Sequence, residues 1–120
     1  MAGDDAFGAM VRERREALRA SDARFSVRQV AQRVGIEPAY LSKIERGEMP
    51  PPGEATIRKI AAELGEDADV LLALAGKVSS DVREIIRRRP RLFAELLREL
   101  RDAPDHAILR LVRQVRDGEW

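Results

Sequence analysis

Gly35 and the residues on either side of it constrain this chain more tightly than any other feature. Ser26 stands before Val27, Val30, Ala31 and Val34, with Gln29 three positions after it. A serine that accepts from the third residue of a turn, followed by a glutamine able to reach back, is the capping-box start of a short helix. Gly35 then supplies the left-handed backbone that ends a helix without a Cβ penalty. Pro38 follows at a first helical turn, where a missing N–H costs nothing, and opens a second short helix that stops before Gly47. Small Ala31 lies four residues ahead of Gly35, so the two helices can cross closely. Val30, Val34, Ile36, Leu41 and Ile44 face a common core, and one face of the second helix is left exposed on a rigid mount.

The rest of the chain reads as helix as well. Phe7, Met10, Val11 and Leu18 recur near helical spacing, which predicts a helix over Ala6–Ala20. Met49-Pro-Pro-Pro-Gly53 is an extended connector, since proline lacks a donor and restricts its predecessor. Ile57, Ile60, Ala61 and Leu64 mark a fourth helix stopped by Gly65. Asp67 or Asp69 caps a short fifth helix carrying Val70, Leu71 and Leu74. Gly76 to Ser80 is the best boundary. Beyond it Asp81 with Glu84 starts another helix, Pro90 interrupts, and Pro104 opens the last. No strand pattern competes. The expected fold class is all-α, with domains at 1–76 and 77–120.

Composition excludes several kinds of function. With no cysteine and the single His106, neither a disulfide framework nor a cysteine- or histidine-based metal site can be assembled. No paired carboxylates in a cleft, no Ser/His/Asp set and no phosphate-cradling glycine loop are present, so an enzyme and a cofactor are not expected. Asp4 and Asp5 sit where a signal peptide would be basic, and no apolar run nears the ~18 residues of a membrane span. A soluble, cytoplasmic protein is expected. The formal charge is +1 over 120 residues. Residues 1–75 hold 11 basic and 13 acidic side chains, yet within Ser26–Arg46 four basic residues face only Glu37 and Glu45. That local excess weakly favours a polyanion.

A helix pair that presents one rigid, exposed helix face is what reading a DNA major groove requires. Here the chain strongly resembles the Cro/C1-type (XRE) helix-turn-helix family. The resemblance is carried by Val11-Arg12-x-x-Arg15, Val30-Ala-x-x-x-Gly-Ile36, Leu41-Ser-x-Ile-Glu-x-Gly47, the proline connector and Ala61-x-x-Leu64-Gly65. It covers residues 7–75 and implies a five-helix, lambda-repressor-like DNA-binding domain followed by a small C-terminal helical segment.

The resemblance implies a recognition surface at Pro38, Ala39, Tyr40, Ser42 and Lys43, with Arg46 at the rim and Arg28 and Glu37 beside it. On this reading Lys43 donates to a guanine edge or a phosphate, and Ala39 meets a thymine methyl. Tyr40 does either through its ring or hydroxyl. It also implies that Arg15 and Glu45 form a structural ion pair rather than a chemical site. Three positions depart from the family pattern: Val27 where a glutamine is usual, Glu37 in place of a serine or threonine cap, and Pro38 at a frequent base-contact position. They bear on which operator is read and leave the docking mode as it is.

Two apolar stripes follow the boundary, Leu92, Phe93, Leu96, Leu97 and Leu100, then Ile108, Leu111, Val112 and Val115. A unit of that size rarely buries enough surface by itself. The stripes are expected to dimerise the chain, because one module alone touches too little DNA for high affinity. The alternative is a protein partner, either a toxin neutralised by these helices or a metallopeptidase that cleaves them. Arg87-Arg88-Arg89-Pro90-Arg91 reads as a solvated helix end, and His106 as an exposed polar residue.

Overall fold

The computed structural model describes residues 6–120, and Asp4 and Asp5 lie outside them. The described residues form eight α-helices and no strand: α1 (Ala6–Arg19), α2 (Val27–Val34), α3 (Pro38–Glu45), α4 (Glu54–Leu64), α5 (Ala68–Leu74), α6 (Ser80–Arg88), α7 (Pro90–Glu99) and α8 (Asp105–Arg116). A short 3-10 turn, Ala23–Phe25, joins α1 to α2. The all-α expectation is met. Boundaries shift slightly: α1 stops at Arg19 rather than Ala20, and α6 takes in Ser80 ahead of Asp81.

The signals at the α2–α3 turn act as the sequence suggests. The Ser26 hydroxyl accepts from the Gln29 N–H at 3.2 Å. Gln29 does not reach back, however. The Ser26 N–H donates instead to the Ala23 carbonyl of the preceding 3-10 turn, so only half of the capping box is made. Gly35 has φ +90°, a conformation in which a Cβ would be strained, and its N–H and that of Ile36 both return to the Ala31 carbonyl. Pro38 stands in the first turn of α3. Asp67, not Asp69, caps α5 by accepting from the Asp69 N–H at 2.8 Å.

The described residues form two compact units, 6–79 and 80–120. In the first, α1, α2, α3, α4 and α5 close around a core of Phe7, Val11, Val30, Val34, Leu41, Ile44, Ile57, Ile60, Leu64 and Leu71, all but fully buried. Several bridges fasten it from outside. The Arg14 Nε donates to the Leu64 carbonyl at 3.1 Å, satisfying an open end of α4. Arg33 lies over the Phe25 ring, 5.3 Å from its centroid, and pairs with Glu63, tying α2 to α4.

Gly8 is the closest point of approach between α1 and α3. A Cβ there would intrude on the Ile44 carbonyl oxygen and lie 3.1 Å from that of Glu45, both backbone atoms that cannot swing away. Gly8→Ala is therefore expected to lower stability by about 2 kcal/mol, even after alanine's gain in helix propensity. Urea denaturation checks this, and a midpoint equal to or above that of the parent would refute it.

In the second unit α6 packs against α7. Not one of residues 80–120 is buried. Phe93, Leu100, Ile108 and Leu111 are half-buried, whereas Leu92, Leu96, Leu97, Leu109, Val112 and Val115 are exposed. Among the described residues no helix is long and apolar enough to cross a membrane.

Candidate nucleic-acid interface

α3 is an eight-residue helix with one side sunk in the core and the other in solvent. Leu41 and Ile44 are completely covered, and they set the rotation of the helix about its axis. Its C-terminal end is fixed by charge. The Arg15 guanidinium of α1 donates Nε to Glu45 Oε2 at 2.7 Å and Nη2 to Oε1 at 2.9 Å, a two-pronged pair with both side chains 4% exposed. A third donor, Nη1, reaches the Phe25 carbonyl at 3.1 Å. The pair raises the arginine pKa above its ordinary value, the hydrogen bonds donated to Glu45 outweighing burial. Arg15 thereby holds together α1, the 3-10 turn and α3, and no buried polar side-chain atom among the described residues lacks a partner.

The side of α3 left in solvent carries Pro38, Ala39, Lys43 and Arg46, with Glu37 just before it and Arg28 exposed on α2. Ser42 is half-buried. Tyr40 sits differently from its neighbours, since its ring packs against the hydrophobic core and only part of it reaches solvent. Glu37 makes no capping hydrogen bond to the start of α3, so its carboxylate is free of that role.

Arg46, expected at the rim, is tied to its own surroundings. Its Nη1 donates to Ser42 Oγ, its Nε to Glu48 Oε2 at 2.6 Å and its Nη2 to Glu48 Oε1 at 3.3 Å. The turn at Gly47, φ +75°, brings Glu48 back, and the N–H groups of Glu48 and Met49 both donate to the Lys43 carbonyl. Sequence reading passed over Glu48. The only signal for it was the glycine between two opposite charges.

With this geometry in hand, comparison with known proteins is direct. Residues 6–74 match the family described as Helix-turn-helix domain, more than half of the chain. The chain belongs to the helix-turn-helix domain family. The resemblance read from Val30 to Gly47 is upheld, and the matched span ends with α5. A curated relative, the uncharacterized HTH-type transcriptional regulator RghRB of Bacillus subtilis (strain 168), is 39% identical over 79 residues, 66% of this chain and 53% of the relative. The chain thus spans about half the length of that relative. No solved structure gives a significant match.

The C-terminal apolar residues divide into two groups. Phe93, Leu100, Ile108 and Leu111 turn inward enough to be half-covered, while Leu92, Leu96, Leu97, Val112 and Val115 stay open. Leu109, which the periodicity did not single out, and Ile85 are 52% and 46% exposed and belong with the open group. The outer face of α8 therefore runs through Leu109 and Val112, one turn apart.

Proposed function

We propose that this chain is a sequence-specific transcriptional regulator that lays α3 in the major groove of double-stranded DNA. It acts in the cytoplasm as a repressor and binds a palindromic operator as a homodimer, with residues 1–76 as the DNA-binding part and 77–120 as the dimerising part. The observation that carries this reading is the exposed side of α3, presented on a helix that the Arg15–Glu45 pair and two buried apolar residues hold rigid, in a chain of the helix-turn-helix family. Lys43 is the leading base or phosphate donor, with Arg28, Pro38, Ala39 and Ser42 around it. The half-buried Tyr40 offers its outer edge. The exposed leucines and valines of α7 and α8 support a second copy as partner.

A binding selection on randomised duplexes with the purified chain tests the reading, and an inverted-repeat consensus is the expected yield. Lys43→Ala separates the two roles open to that residue. A base contact is expected to cost roughly 1–3 kcal/mol and relax preference at one position. A phosphate contact is expected to weaken all sequences evenly and lower the salt slope by about one. Enrichment of no sequence at all would refute DNA recognition.

A further inference from the structure

We infer that Glu48 sets the DNA specificity of this chain by occupying Arg46 in the free protein. The inference rests on the DNA-binding reading above. Arg46 lies at the C-terminal end of α3, exposed, on the same stretch as Lys43. A guanidinium there would be a ready partner for any phosphate, whatever the base sequence. Three of its five N–H donors are already engaged: two face the Glu48 carboxylate and a third Ser42 Oγ. The backbone of Glu48 is held in place, its N–H donating to the Lys43 carbonyl at 2.8 Å, so the side chain springs from a point fixed relative to α3. The pair keeps the Glu48 carboxyl below its ordinary pKa, and it stays ionised throughout the neutral range.

With Glu48 neutralising its charge, the guanidinium engages a phosphate at full strength only by exchanging one anion for another. On random DNA that exchange brings no other contacts with it, and the pair stays closed. On a cognate site the remaining contacts of α3 hold the helix in register, and the exchange goes forward. Glu48 thus suppresses non-specific binding more than specific binding. Ser42 is drawn into the same arrangement, since it cannot offer the lone pair taken by Arg46 to a base edge until Arg46 moves.

Glu48→Gln tests this, since the exposed side chain contributes nothing to the core. Affinity is measured against salt for a random 20-base-pair duplex and for the duplex recovered by selection, in the parent, Glu48→Gln, Arg46→Ala and the double variant. Glu48→Gln is expected to bind the random duplex about two- to fivefold more tightly, the scale of one exposed ion pair. Its salt slope should steepen by about one, and the ratio of specific to random affinity should fall. In the Arg46→Ala background the same change is expected to leave the slope alone. An unaltered slope in Glu48→Gln, or an equal change with and without Arg46, overturns the inference while leaving DNA binding standing. A parent chain that binds neither duplex removes both.

Discussion

Arg15→Ala is expected to destabilise the fold by about 3–5 kcal/mol, the cost of leaving a buried carboxylate without its partner. The substitution strips three hydrogen bonds at once, two to Glu45 and one to the Phe25 carbonyl, and Glu45 is too deeply placed for water to replace them. For a domain of this size that loss corresponds to a fall in Tm of roughly 15–30 °C. It is a large part of the 5–15 kcal/mol that ordinarily holds a domain together. Arg15→Met combined with Glu45→Met is expected to recover part of the loss, because two apolar side chains leave no charge stranded. Arg15 is covered by protein and offers no donor to solvent, so Arg15→Ala protein that remains folded below its Tm should still bind DNA. Thermal unfolding by circular dichroism decides the first point. A Tm within a few degrees of the parent would mean that the pair adds nothing. Lost binding with an unchanged Tm would place Arg15 on the DNA instead.

Leu97→Asp is expected to leave the first unit folded and to separate the two copies of the proposed homodimer. In the single chain Leu97 is 57% exposed, so a carboxylate there stays solvated and costs little. In an apolar seam the same carboxylate would be buried unpaired, at several kcal/mol. Light scattering should report the mass of one chain at concentrations where the parent runs as two. Operator affinity should fall by roughly 10²-fold or more, because two half-sites are no longer bound through one linked molecule. The half-site centres should lie about one helical turn, roughly 10 base pairs, or a multiple of it apart. Truncation should copy the effect, and the cut belongs after Ser79, which is buried and counts with the first unit. A parent that is monomeric at tens of micromolar, or a truncated chain that stays paired, assigns the C-terminal helices to a different protein partner.

Much of the DNA-facing unit could be read directly from its residues, for identifiable reasons. Gly35 and Gly65 admit the left-handed backbone that ends a helix, and Pro38 fixes φ at a first turn, so helix ends followed from single residues. The core followed from periodicity, because the packed helix faces repeat apolar residues at helical spacing, with Arg15 and Glu45 as a mutually paired exception. What escaped depends on distance through space. Gly8 looks unremarkable in sequence, and only the crossing with α3 shows that its missing Cβ makes room for a carbonyl. Tyr40 is expected on the contact surface by its position in the resemblance, and its ring also has a place on the core that the sequence did not show. Arg46 read as a free rim charge because Glu48 lies past the helix end, where helical spacing says nothing. In α7 and α8 the stripes were legible, but the apolar residues are so numerous that periodicity did not separate the inner from the outer ones, and Leu109 was passed over.

The absence of any buried residue between 80 and 120 has a consequence for dosage. In the proposed homodimer these helices gain their cover from the second copy, and they are then as stable as the supply of that copy allows, by mass action. On that proposal they would open and exchange their amide protons more freely at low abundance, and near the pairing threshold the amount of operator-competent protein would climb with the square of the amount made. An organism that doubles synthesis of such a chain would then gain nearly four times the occupancy. A gene under its control would turn off over a narrow span of regulator levels, with the sharpness set by how much leucine and valine α7 and α8 leave in water.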